Sequence, residues 1–285
     1  MSSSVSTSTD AERGIVEEIE SHMGKYMSWL YSSPYSRVED EKEFLRLTSN
    51  VPNPFCNFLF RLRFSEEDIE SRMEDMMRFF ESRSLPTSCW VGPCCGPASL
   101  GKHLVSHGFI LHKNLESMGM TIDLEALNED LPVPEGLSVK RVEDDNDMRL
   151  YLSPFERGFE FPKDIAAHWG MMDASHGFDA SLPRVNYVAL INGVPASCTA
   201  LFKTTKVAGI YCVATAPEMR RKGAATALIV KALRDARDEG LGMGLLQAKA
   251  MGASVYRRLG FVDRPCKFDW YTWQPSGAAQ QQSGH

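Results

Sequence analysis

The stretch that most restricts the fold runs from Val207 to Ala248. Residues 207–215 (VAGIYCVAT) are rich in β-branched and aromatic residues and read as a strand. Residues 222–238 then place Ala225, Leu228, Ile229, Ala232, Leu233 and Ala236 at the i, i+3, i+4 spacing of one buried helix face. Gly240 is a stop signal, and residues 241–248 read as another strand. Upstream, two strand-like runs at 186–191 and 194–202 flank Asn192-Gly193, the strongest short signal for a type I′ hairpin. Residues 137–142 alternate as a strand. Residues 144–160 and 162–176 are helix-like, the second opening on Pro162. Residues 254–259 form a short helix ended by Gly260, and 261–273 are extended. Strands separated by helices, with one hairpin among them, indicate a mixed α/β sheet.

Composition narrows the function classes. At 285 residues the chain suits one large or two ordinary domains. Hydrophobic residues at 43% and charged residues at 24% are ordinary for a globular protein, which excludes wholesale disorder. No apolar run approaches the roughly 18 residues that span a bilayer, and the Ser/Thr-rich start carries no secretory pattern. A net charge of −6 argues against a whole-chain grip on nucleic acid. The seven cysteines form no paired CxxC elements and the histidines are scattered, so neither a disulfide framework nor a metal site is expected. The expectation is a cytoplasmic protein with reduced thiols, no metal and no membrane or nucleic-acid partner, as a monomer or homodimer.

The chain divides, on this reading, into a disordered tail at 1–10, an N-terminal domain at 11–127, a linker at 128–136, a second domain at 137–273 and a second tail at 274–285. The linker NEDLPVPEG has two prolines, a glycine and three acids. In the N-terminal part, residues 11–29 are helical in pattern, 55–64 (FCNFLFRLRF) read as a strand, and 65–82 as a helix opened by Ser65 with Glu66, Glu67 and Asp68 in its first turn. Residues 87–91 are strand-like, 97–107 a short helix ending at Gly108-Phe109, and 121–124 extended.

The chemistry concentrates in residues 213–225, VATAPEMRRKGAA. Pro217 ends the strand because it cannot donate to a ladder. Gly223 permits a close backbone approach or an unusual dihedral. The first helical amides lack internal partners, and Arg220, Arg221 and Lys222 surround them with positive charge, which together describe a pyrophosphate cradle. Neither a P-loop nor a GxGxxG fingerprint is present. On composition alone, the same residues also describe a basic, solvated helix start.

This segment resembles motif A of the GNAT superfamily of acyl-CoA-dependent N-acetyltransferases, R/Q-x-x-G-x-G/A, with Arg220, Gly223 and Ala225 at the matching positions. Residues 209–225, with IYCVATAP, and 245–261, LLQAKAMGASVYRRLGF, are similar to a subgroup that usually reads IY-x-VAT-x-P and LQAS-x-MG. The resemblance covers residues 136–273 and implies a mixed, mostly antiparallel sheet flanked by helices, with acetyl-CoA as co-substrate. It assigns the strand residues Val213, Ala214 and Thr215 to the pantetheine arm and thioester, and Arg220, Arg221, Lys222, Gly223, Ala224 and Ala225 to the pyrophosphate. Tyr256, in VYRRLGF, falls where the family often places a tyrosine beside the CoA sulfur. A phenol of pKa near 10 can protonate a departing thiolate whose conjugate acid is roughly 8.5.

Many relatives carry a glutamate on the strand entering motif A, but GIYCVAT has no carboxylate. A water chain, Tyr211, Glu156, Glu160 and Asp164 are the candidates for handling the acceptor's proton, and each acid also reads as a solvated surface charge. Strand alternation is expected to turn Cys212 away from the pantetheine as a buried structural thiol. Lys249 stands where the subgroup has serine.

The N-terminal half is read either as a degenerate copy of the same fold or as a helical extension. LVSHGF at 104–109 parallels YRRLGF at 256–261, with Leu104 in place of Tyr256. SEED opens the helix after FCNFLFRLRF, and three acids there would repel a pyrophosphate. The expected function is an N-acyltransferase passing acetyl from acetyl-CoA to a small amine. The alternatives are a non-catalytic acetyl-CoA sensor or scaffold, and an enzyme that acetylates protein N-termini or lysines.

Overall fold

A strand–helix–strand crossover closes each of two units in the computed structural model, which describes residues 3–276, with side chains from Asp10 onward. One unit comprises Met1–Ser117 and Pro265–His285, the other Met118–Arg264. The division therefore falls at Ser117/Met118 and Arg264/Pro265, not within 128–136. Of the expected tails, Met1, Ser2 and residues 277–285 lie outside the described residues, and the first helix already covers residues 3–10.

The first unit begins with α1 (Ser3–Tyr31), β1 (Ser36–Asp40), β2 (Leu45–Ser49) and β3 (Phe58–Phe60). It continues with α2 (Ile69–Glu81), β4 (Thr87–Val91), α3 (Leu100–Ser106) and β5 (Ile110–Leu111). Strands β1, β2 and β3 pair antiparallel, and β3 pairs parallel with β4 across the α2 crossover. Helix α2 buries Ile69, Met73, Met76 and Phe80, one stripe at helical spacing, over Leu59, Leu62, Cys89 and Leu104. The strand expected over 55–64 shrinks to three residues. Asn53 caps a 3₁₀ turn at Pro54–Cys56, and Arg61 leaves the strand region at φ +53°. Strands β1 and β2 carry no strong periodic signal and were not anticipated.

The second unit contains β6 (Ser117–Asp123), β7 (Leu137–Arg141), α4 (Asp145–Phe159), α5 (Lys163–Ala174), β8 (Arg184–Ile191) and β9 (Val194–Lys203). It continues with β10 (Val207–Thr215), α6 (Ala224–Asp238), β11 (Met243–Ala248) and α7 (Ala250–Leu259). The strand order is β6-β11-β10-β9-β8-β7, antiparallel except for β10 and β11. Asn192 and Gly193 both take positive φ, +50° and +78°, as the tight β8–β9 hairpin requires. Helix α6 buries Ala224, Leu228, Ile229, Ala232, Leu233 and Ala236 against the strand face that carries Tyr187, Ala189, Leu201 and Ile210. Each Leu or Ile buried there contributes about 1.5–3 kcal/mol.

Residues 128–136 do not run free of the unit. Glu129 pairs with Arg237 (2.7 Å) and Arg234 of α6, and Leu131 packs on the core beneath that helix. The last strand, β12 (Val262–Trp273), carries the chain back to the first unit, where it pairs antiparallel with β4 and β5. No disulfide joins any of the seven cysteines, and no helix among the described residues is long and apolar enough to cross a membrane.

Candidate acyl-transfer site

Strand β10 departs from regular pairing at its C-terminal end. Tyr211 lies opposite Ala200 and Ala214 opposite Cys198, so Cys212 and Val213 together face the single residue Thr199. This bulge puts Cys212 at φ +53° and interrupts the alternation expected to turn its thiol inward; Cys212 is half-buried. Side chains of β9 hold the bulge. Thr199 Oγ1 donates to the Tyr211 carbonyl (3.0 Å), Ser197 Oγ to the Ala214 carbonyl (2.7 Å), and Cys198 Sγ to the Cys212 carbonyl (3.7 Å).

On its other edge β10 parts from β11. Their parallel ladder stops at Ile210 opposite Leu246, although β10 continues to Thr215 and β11 to Ala248. The Ala216 amide donates to Ala196 of β9 (3.0 Å), so by strand alternation the Thr215 amide and carbonyl face the parted edge. Helix α4 approaches this backbone through Gly158. A Cβ there would lie 2.9 Å from the Ala214 Cβ and the Thr215 nitrogen.

The turn after β10 leaves a run of main-chain amides without carbonyl partners. Arg221 and Gly223 take left-handed φ of +62° and +81° on either side of Lys222. Helix α6 consequently starts at Ala224 and not at Lys222 as expected. Among the described residues, the amides of 221–226 donate to no carbonyl, the state in which a helix start receives an anion. The Arg220 guanidinium reaches the Thr215 and Gly158 carbonyls, both at 3.4 Å, while Arg221 and Lys222 stay exposed. Pro134 and the Pro132 carbonyl line Gly223, 3.3 Å and 3.5 Å from where its Cβ would be.

Tyr256 is buried on α7, its ring edge-on to Phe261 at 5.9 Å. Burial pushes its phenol up to about 12, which keeps the proton on oxygen at neutral pH. Lys249 is the N-cap residue between β11 and α7, and desolvation pulls its ammonium below the usual lysine value. Tyr211 is buried at the start of the bulge. Glu156 is half-buried in α4, whereas Glu160 and Asp164 are exposed. Among the described residues no hydrogen bond joins these three carboxylates to the bulge. The polar core on this side is Arg184 with Asp173 (2.7 Å), tied together by Asn186, which donates to Asp173 (2.7 Å) and accepts from Arg184 (3.1 Å). Burial raises the Asp173 carboxyl, against the opposing pull of Arg184 and Asn186.

The residues expected to form the cradle fall at the turn into α6 and Tyr256 on α7, while Ser197, Thr199, Gly158 and the proline strap were not among the expected site residues. GFEFP at 158–162, a glycine just before two aromatics at a helix end, is the available signal for Gly158. The bulge has none.

The first unit repeats parts of this plan. Arg61 follows β3 at φ +53°, as Cys212 does in β10. Phe109 donates to the Leu104 carbonyl (3.0 Å) past Gly108, and Phe261 to the Tyr256 carbonyl (3.1 Å) past Gly260. Its strand edge is filled from within. The Gly96 amide donates to the Leu62 carbonyl (2.8 Å), and the Phe64 amide to the Gly96 carbonyl (3.1 Å).

Residues 186–262 match the family model of an acetyltransferase (GNAT) domain. No curated protein matches the chain by sequence. Among solved structures, a GCN5-related N-acetyltransferase from Kribbella flavida is similar at TM-score 0.69 and 16% identity, over 92% of this chain and 98% of that one. A tandem GNAT protein from the clavulanic acid biosynthesis pathway gives 0.59 and 13%, over 88% and 87%. A GCN5-related N-acetyltransferase from Sphaerobacter thermophilus gives 0.57 and 14%, over 83% and 82%. At these identities the likeness is one of fold.

Proposed function

We propose that this chain, which carries a GNAT-superfamily acetyltransferase domain, is an acyl-CoA-dependent N-acetyltransferase acting on a small-molecule amine. The carrying observation is the parted β10–β11 edge, which leads directly into a helix start whose amides have no carbonyl to bind. In this reading acetyl-CoA lies along β10. Its pantetheine pairs with the Val213–Thr215 main chain, and its pyrophosphate meets the 221–225 amides beside Arg220, Arg221 and Lys222. A preorganised main-chain donor facing the thioester oxygen stabilises the charge that develops there. The amine attacks the thioester directly in a ternary complex, and Tyr256 protonates the departing CoA sulfur.

The first unit is read as a second copy of the plan that takes no cofactor. Gly96 occupies the edge where a pantetheine would pair, and Glu66, Glu67 and Asp68 precede α2 where a phosphate would sit. Calorimetric titration with acetyl-CoA is expected to give one site per chain, and a thiol-reactive dye is expected to report CoA release with an amine panel. No binding removes the assignment. One-site binding without release for any amine supports a sensor instead, and two sites per chain overturn the reading of the first unit.

A further inference from the structure

The loop beyond Gly158 displays two aromatic rings where α4 meets β10. Glu160, a non-glycine residue at φ +58°, caps α4 between Phe159 and Phe161, and the Phe161 amide closes the turn on the Glu156 carbonyl (2.9 Å). Side chains in this backbone region are strained and concentrate at ligand sites. The turn stacks Phe159 on Phe161, with centroids 5.5 Å apart and planes at 24°. Phe155 backs both rings at 5.2 Å and 5.6 Å, and Trp169 backs Phe155 at 6.0 Å. Phe155 and Trp169 are buried, while Phe159 and Phe161 are half-buried, so the pair keeps part of a rigid apolar surface open. It begins one residue from Gly158, which lies against Ala214 and Thr215.

The charged groups beside it, Glu160 between the rings and Arg220 at the Gly158 carbonyl, are exposed to solvent, whereas the bulge itself carries no charge. The side chains bonded to the bulge carbonyls are two hydroxyls and a thiol. The buried Asp173 is committed to Arg184 and Asn186. An alkyl ammonium arriving here would have to lose a proton before attack, and β10 offers no carboxylate to take it. An amine attached directly to an aromatic ring is unprotonated at neutral pH and brings a flat face suited to stacking.

Resting on the reading of β10 as the acyl-CoA edge, we propose that the acceptor is a ring-attached aromatic amine that lies against Phe159 and Phe161. The nitrogen lone pair forms the C–N bond to the thioester carbonyl carbon. The C–S bond then breaks with its electron pair on sulfur. Tyr256 gives its proton to that sulfur and recovers one from the acylated nitrogen, leaving an N-acetyl arylamine and free CoA with no net proton change.

The test compares p-toluidine, benzylamine and putrescine as acceptors for the full chain with acetyl-CoA at neutral pH. The expected order places p-toluidine first, by about tenfold or more in kcat/KM, a difference of about 1.4 kcal/mol. Phe159→Ala is expected to raise the KM for p-toluidine about tenfold while saturating turnover and the acetyl-CoA Kd stay near wild type. Phe159→Leu, which keeps apolar volume, provides the same comparison if the alanine variant is poorly folded. Preference for benzylamine or putrescine, or an acetyl-CoA Kd that rises in step with the amine KM, overturns the proposal. Acetyl-CoA binding without turnover of any of the three amines overturns it while leaving the cofactor edge standing. Absence of acetyl-CoA binding in the wild type removes the parent reading itself.

Discussion

Gly158 stands so close to Thr215 that a methyl group on it would lie 2.9 Å from the Thr215 nitrogen and 3.0 Å from its carbonyl oxygen. Those atoms face the parted edge of β10, so a bare glycine keeps that edge reachable. Gly158→Ala is expected to weaken acetyl-CoA binding about tenfold or more by calorimetry. The crowding should also cost about 1–3 kcal/mol in denaturant unfolding. Wild-type affinity in a folded variant would mean that the Thr215 main chain takes no part in binding.

Gly223 is constrained twice, by its φ of +81° and by Pro134 at 3.3 Å from its missing Cβ. Gly223→Ala should lose about 1–2 kcal/mol for the left-handed backbone alone. Gly223→Glu adds a carboxylate where the proposed binding mode puts the phosphates and is expected to abolish acetyl-CoA binding in a chain that still shows a cooperative melt. Normal calorimetric affinity for the Glu variant would place the cradle elsewhere.

Tyr256→Phe is expected to lower turnover by roughly 10²–10⁴ with acetyl-CoA affinity nearly intact. Because burial lifts the phenol to about 12, its donor form persists above the ordinary tyrosine value. Loss of rate through Tyr256 ionisation should therefore begin near pH 12 and not near pH 10. The linked stability follows the same sign: it is fully present below the unfolded pKa of about 10 and lost as pH rises through about 12. A turnover profile with a Tyr256-dependent break near 10 would contradict the buried geometry.

Arg184 and Asp173 are buried together, and removing one charge strands the other. Asp173→Asn is expected to destabilise the protein by about 3–5 kcal/mol in equilibrium unfolding. Arg184→Met in the same background should restore part of that loss, since the charge left over is then gone. A single variant with wild-type stability would show that the pair is dispensable.

Much of the second unit was legible because its signals are local. Helix α6 announces itself by apolar spacing, the β8–β9 hairpin by Asn192-Gly193, and β10 was bounded correctly at Val207 and Thr215. The bulge was not legible, because nothing in Tyr211-Cys212-Val213 distinguishes it from a regular strand; it becomes visible only against the register of β9. Nor could composition show that 128–136 packs on α6. Leu131 and Glu129 look like linker residues until Arg234 and Arg237 are placed opposite them. The early start of α6 expected at Lys222 failed for a backbone reason, the left-handed residues at 221 and 223. Distant pairing was hidden as well, since the partner of β11 on its outer side is β6, more than a hundred residues earlier.

That pairing sets where the chain can be cut. Residues 118–264 contain all six strands β6 to β11, whereas 137–273 lacks β6 and bares the β11 edge, from Met243 to Ala248. The first fragment is expected to melt cooperatively in circular dichroism, and the second to aggregate, as exposed strand edges do. A soluble, cooperatively folded 137–273 fragment would refute the need for β6.

The return of β12 to β4 has a consequence for how the protein is made. As the chain leaves the ribosome, the first half emerges with β4 still bare on one side, and its missing neighbour is synthesised only with residues 265–273, after every strand of the second unit. The half translated first is the half completed last, and a nascent chain stalled before Pro265 would carry an open sheet that chaperones must shield.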